Sequence, residues 1–427
     1  MSAQTSDVQG WKHRRGYPKV YKRSNIHTFI QCIILHSSII CAHTINEAFG
    51  RSTCDVRPSL YMLNLLPQCN FPYFPAWPCS DSIGTVLFRG MSAKREMIIT
   101  GVTPSMGVPD GELVIQCRGF RPGLTSKVLL GDATAFISSA SEDLIIVRLP
   151  ESPNCLGLAL QVDKTVSPVF PFNLATRLAT NLHPVANPVV ASDGSLISTI
   201  SGGRGQQISQ PLVRITRQGD KIPFDCEIMN PTGLAFSKDG QLYVTSRNDG
   251  TVLRYTDFET LEVIADDLGV PCGIAFNSEG ILYVGDRTGK IYRIDSSGNK
   301  EEFVSLEPSI AAYHLAVDAK DRLYVTGPTF SMRDNLYRIS GDGTIENLVY
   351  GLARPQGMVC LPDGDLLIAT GYQGKKGIFR YSQEDGTLHH FAAAPIMVGL
   401  AVSGQDIYFA SGSSIYWAQL SGQNAVN

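Results

Sequence analysis

The chain has 427 residues, 43% hydrophobic and 18% charged, with a formal net charge of −3 and a pI near 6.2. That balance excludes a disordered chain and gives no general attraction to nucleic acid or anionic lipid. No apolar run is long enough to cross a bilayer as a helix, so no transmembrane segment is expected.

The 40 glycines fall between short β-rich runs, which predicts an all-β protein with many turns. Ten cysteines are present and no C-x-x-C pair occurs, so neither a zinc site nor a redox dithiol is expected. The cysteines beyond the leader stand alone in strand-like contexts and read as small buried hydrophobes.

Residues 1–95 carry no strand pattern and read as a non-domain leader or an upstream extension, with folding starting near Met91 or Met97. A chain lacking residues 1–90 should then keep its thermal transition. The alternative is a weak signal segment: Lys12, Arg14, Arg15, Lys19, Lys22 and Arg23 precede the patchily apolar "TFIQCIILHSSIIC", Thr28 to Cys41. The first reading places the protein in the cytoplasm; the second has it secreted.

Residues 96–173 hold "ITGVTPSMGVPDGELVIQCRGF", "KVLLGDATAFISSASEDLIIVRLP" and "LGLALQV", short strands separated by turn signals such as Pro109, Asp110 and Gly111. This is the pattern of a small β-sandwich. The stretch resembles an IPT/TIG domain of immunoglobulin-like fold. The resemblance implies a spacer or interaction module without catalytic residues.

From residue 174 to about 422 one phrase recurs: "NPVVASDGSLIST", "PTGLAFSKDGQLYVTS", "PCGIAFNSEGILYVGD", "YHLAVDAKDRLYVTG", "PQGMVCLPDGDLLIATG" and "VGLAVSGQDIYFAS". Its turn positions are Gly194, Gly240, Gly280, Asp321, Gly364 and Gln405, spaced 46, 40, 41, 43 and 41 residues apart. That is the period of a propeller blade, and six copies predict a six-bladed β-propeller. Each copy has a third strand, from "PLVRIT" to "SIYWAQ", but the last lacks a fourth. The strand-like "FNLATRLATNL", Phe172 to Leu182, is expected to supply it and close the ring. On that scheme a chain lacking residues 1–182 should aggregate and one lacking only 1–168 should not.

The repeats resemble the six-bladed propellers of the NHL and gluconolactonase (regucalcin-like) families. The gluconolactonase resemblance implies a divalent cation such as calcium above the central channel, held by carboxylate and Asn side chains. The matching slots here hold Ala186, Thr232, Cys272 and Tyr313, which offer a hard cation no charged ligand. No metal, cofactor or catalytic residue is therefore expected. "SGGRGQQ", Ser201 to Gln207, lacks the Lys-Ser/Thr ending of a phosphate loop and reads as a blade loop. The lyase-like propellers place a His at this rim, and His314 is the one histidine inside a repeat phrase.

Loops between second and third strands should share a face with the starts of the first strands. The ligand-binding candidates there are Arg204, Arg247, Asp286, Arg287, Tyr313, His314, Gln356 and Lys375, with Asn187, Asn230, Asp249, Arg333 and Lys376 nearby. Their balance predicts an anionic small molecule, or an acidic protein or peptide, at the channel mouth. The resulting expectation is a non-catalytic binding protein; the alternative is a lactonase-like hydrolase or a lyase with a departed metal site.

Overall fold

A computed structural model describes residues 96–420, except 154, 203–205, 225, 257–259 and 312. The leader and Arg204, with the expectations attached to them, lie outside the described residues. These residues form strands and turns without a helix, so among them no helix is long and apolar enough to cross a membrane.

The first sheet has seven strands and is built by period-two alternation. In Glu112–Arg118 the side chains of Leu113, Ile115 and Cys117 point inward. Leu144–Arg148 runs antiparallel beside it, placing Val147 opposite Leu113 and Ile145 opposite Ile115. These four join Val128, Leu130, Leu158 and Leu160 in one core. Each such side chain withdrawn from water stabilises by about 1.5–3 kcal/mol.

The remaining sheets have a propeller-like arrangement: five of four strands and one of six. A representative one runs Pro231–Phe236, Leu242–Ser246, Thr251–Thr256, Thr260–Ala265. Its first turn needs a left-handed residue, supplied by Gly240 at φ +81°. In the sheet that begins with His314–Val317, Asp321 takes the same place at φ +57°, a conformation Asp tolerates. Apolar cores form between sheets. One joins Ala235 and Val252 of one sheet to Ile274, Leu282 and Val284 of the next, so no sheet buries its own faces alone.

The ring closes as the sequence pattern predicts. The strand Thr176–Thr180 pairs antiparallel with Ser414–Gln419, outermost beside Asp406–Ala410 and Gly399–Ser403.

The truncation expectation needs correction. The six-stranded sheet continues from Leu388–Ala393 into Met106–Gly107 and then Asn173–Leu174, both in parallel pairing. Met106 and Val108 are buried among Ala175, Leu367, Phe391 and Ala392. Gly111 is fitted so tightly that a Cβ there would lie 2.4 Å from the Ala393 carbonyl oxygen. Removing residues 1–168 would strip this cover and expose an apolar face, so that chain too is expected to aggregate.

Candidate binding face

In the repeat, the start of the first strand lies opposite the end of the second: Pro231 pairs with Ser246, and Pro271 with Asp286. First-strand starts and second-to-third-strand loops therefore share one face.

At this face adjacent innermost strands nearly touch. A Cβ on Gly233 would lie 2.2 Å from the Cys272 carbonyl oxygen, one on Gly273 2.2 Å from that of Tyr313, and one on Gly399 2.2 Å from that of Ala186. Gly357 is equally confined, between Gly399 and the Asn187 side chain. Pairing register identifies two further residues at this same position. His314 faces Thr326 as Gly273 faces Gly285, and Asn187 precedes the Val189–Ile197 pair as Gly233 precedes Ala235–Tyr243.

Asn187 uses its amide to tie strands together. Its Nδ2 donates to the Met358 carbonyl at 2.7 Å and its Oδ1 accepts from the Leu400 N–H at 3.0 Å. His314 is 3% exposed. Burial pushes its pKa down to about 4, with the nearby Gln356 side chain acting in the opposite direction. The ring is thus neutral at ordinary pH, and its Nε2 has no partner among the described residues. Asn230 Oδ1, at another first-strand start, is likewise buried without one.

Several other candidates hold the scaffold. Tyr313 is fully buried in an apolar cluster and donates its hydroxyl to the Glu307 carbonyl, so its phenol does not reach a ligand at the mouth. Asp286 is 1% exposed. One of its oxygens accepts from the Val270 N–H at 2.7 Å and the other from the Thr288 hydroxyl, which fixes the loop beside it. The Thr232 hydroxyl donates to the Pro271 carbonyl at 3.0 Å and stands 2.8 Å from the Thr245 hydroxyl. Burial raises the Cys272 thiol to about 12, and the charges of Arg247, Asp286 and Arg287 all act on it. Among the described residues, no three His, Cys, Asp or Glu side chains form a group able to hold a metal ion.

The arginines separate into two populations. Those on third strands face acids: Arg254 opposite Glu262, Arg293 opposite Glu301 and Arg338 opposite Glu346 in strand register. Arg214 meets Asp193, and Arg380 meets Asp363 and Asp365. In the last repeat Trp417 stands in this place and donates to Asp406 at 2.9 Å. The rim arginines instead contact neutral groups. Arg247 donates to Ser201 Oγ at 3.1 Å and the Gly202 carbonyl at 3.2 Å; exposed Arg287 reaches the Ser309 carbonyl at 3.4 Å. Neither has a carboxylate partner among the described residues. Gln356 is half-buried, and Lys375 and Lys376 are exposed at a hairpin end of the same face.

One rim residue was not anticipated. Arg354 is exposed and sits at φ +50° directly before Pro355, as Asn230 sits at φ +52° before Pro231. A left-handed residue before proline is disfavoured, more so for Arg than for Asn. The signal was the alignment of Arg-Pro-Gln-Gly with Asn-Pro-Thr-Gly.

No protein-family model matches the chain, and no curated protein does. Similar solved structures include an auxiliary nutrient binding protein from Bacteroides ovatus: 11% identity, TM-score 0.44, covering 76% of this chain and 98% of that one. A virginiamycin B lyase from Staphylococcus aureus, solved as an inactive variant with quinupristin, is 18% identical at TM-score 0.42, covering 69% and 99%. A gluconolactonase from Xanthomonas campestris is 15% identical at TM-score 0.38, covering 56% and 98%. None of these likenesses carries a functional residue across.

Proposed function

We propose that the channel-mouth face recognises an anionic small molecule or an acidic peptide, without a metal and without catalysing a reaction. The observation that carries this reading is the contrast between the arginine populations. Third-strand arginines face acids, whereas Arg247 and Arg287 are held by hydroxyl and carbonyl oxygens and pair with no carboxylate among the described residues. A guanidinium positioned by neutral groups is preorganised for a carboxylate or phosphate, which it grips through paired charge-assisted hydrogen bonds. Gln356 and Lys375 add a neutral and a charged donor on the same face.

We further infer a six-bladed, NHL-like propeller over residues 174–422 and an IPT/TIG-like sandwich over 96–173. Support comes from the five four-stranded sheets, the four-stranded portion of the sixth, and the seven-stranded sheet ahead of them. A lyase or hydrolase reading would make His314 the base. Its burial and its place in the tight glycine position favour a packing role instead.

The test is calorimetric titration of sugar acids, lactones and phosphorylated metabolites, with and without chelator. The variant Arg247→Ala/Arg287→Ala should weaken the bound anion at least about tenfold, the equivalent of ~1.4 kcal/mol. Unchanged affinity would sink the binding assignment, and cation-dependent lactone hydrolysis the non-catalytic one.

A further inference from the structure

The loop between Leu323–Thr326 and Asp334–Ile339 carries Phe330 at 82% and Met332 at 92% exposure. Single exposed apolar side chains are ordinary on any surface. Two on one loop whose backbone is fixed, beside arginines with no carboxylate partner among the described residues, are not.

The fixing is specific. Thr329 donates both its N–H and its hydroxyl to Asp334 Oδ1, each at 2.8 Å. The Ser331 N–H donates to Thr329 Oγ1 at 3.0 Å, and the Arg333 N–H to Ser331 Oγ at 3.1 Å. Asp334 is 1% exposed, so the whole turn is anchored from below. Ser309 ties it to the neighbouring loop: its hydroxyl donates to the Pro328 carbonyl at 2.7 Å, and its N–H donates to the Arg287 carbonyl at 2.8 Å. Arg287 is therefore joined to the loop through one shared serine, and Arg333 lies on the loop itself.

We propose that this loop docks an acidic protein segment, with Phe330 and Met332 packing against apolar side chains of that segment while Arg287 and Arg333 meet its carboxylates. This rests on the reading of the face as anion-binding and commits it to a protein partner. Aromatic residues, Met and Arg are the types enriched in interface cores, and a fixed loop loses little conformational freedom on binding. An anionic bilayer is the weaker match. A bilayer would meet the whole face at once, including exposed Glu307, Asp266 and Asp267, which it would repel, whereas a segment can contact the loop and its two arginines alone.

The test pans a displayed random-peptide library on the immobilised full chain and titrates enriched peptides in solution. Enriched sequences should combine Asp or Glu with Leu, Phe or Trp. Phe330→Ser/Met332→Ser should weaken them at least tenfold while leaving the thermal transition and the small-anion titration unchanged. Equal affinity for that variant, or no enrichment, overturns the docking loop. If Arg247→Ala/Arg287→Ala still abolishes small-anion binding, the anion face stands without it. Cosedimentation with vesicles of phosphatidylcholine and phosphatidylserine that depends on Phe330, with no peptide selected, transfers the loop to a membrane and likewise overturns the proposal.

Discussion

Asn187 and Leu400 lie 213 residues apart in the chain and are joined by a 3.0 Å hydrogen bond at the centre of the ring. The same Asn187 amide donates to Met358 on another innermost strand, so one side chain links three repeats. Asn187→Ala would leave the backbone groups of Leu400 and Met358, both 1% exposed, without these partners. A buried polar group left unsatisfied costs about 1–3 kcal/mol. The denaturation midpoint should fall accordingly, and an unchanged midpoint would show the ring closed by strand pairing alone.

His314 predicts acid lability. In the unfolded chain it takes up a proton near pH 6.5, in the folded protein only near pH 4. Between those values the unfolded state binds more protons, so stability falls as pH falls; above pH 6.5 both states are neutral and the effect vanishes. The full difference is about 3 kcal/mol, reached below pH 4. His390, also lowered mainly by burial, acts in the same direction. His314→Gly restores the residue found in the tight position of four other repeats. It should flatten the decline without abolishing it, as read by melting temperature from pH 7 to pH 4.

The third-strand arginines serve as controls for the rim. Arg293 pairs with Glu301 and lies 4.3 Å from the Phe303 ring centroid, but both partners of the ion pair are partly exposed. Exposed pairs contribute about 0–1 kcal/mol. Arg293→Ala should lower stability slightly and leave anion affinity unchanged, the opposite of the pattern expected for Arg247→Ala/Arg287→Ala. Equal loss of affinity from both would mean that general charge, and not the rim geometry, governs binding.

Truncation distinguishes a ring that folds alone from one that needs its first sheet. A chain starting after residue 168 loses Met106 and Val108 from the core they share with Phe391 and Ala392. It should aggregate, as should one starting after residue 182, which also lacks the closing strand Thr176–Thr180. Static light scattering after refolding reads both outcomes, and a monodisperse shorter chain would show the junction to be dispensable.

The repeat was legible because each turn requires a left-handed residue at a fixed step, and Gly194, Gly240, Gly280, Asp321 and Gly364 mark it. Ring closure followed from counting strands. The junction at Met106–Gly107 was not legible, since two residues in parallel pairing leave no periodic trace. Side-chain direction was the other gap. Tyr313 and Asp286 sit at the predicted end of the fold, yet burial and internal hydrogen bonds turn them to structural use. Asn187 and His314 replace glycine where neighbouring strands press together, and only pairing across the ring shows this.

The junction that joins Asn173–Leu174, Met106–Gly107 and Leu388–Ala393 in one continuous sheet has a consequence for multivalent binding. Two sites linked by a flexible segment share a broad range of separations, and the second contact is diluted over all of them. Here Met106–Gly107, the segment between the first two strands of the seven-stranded sheet in chain order, pairs through its backbone with the sheet that carries Lys375 and Lys376 near the mouth. A partner held at both places would meet a single fixed spacing, so the protein would discriminate by the distance between two epitopes as well as by their chemistry.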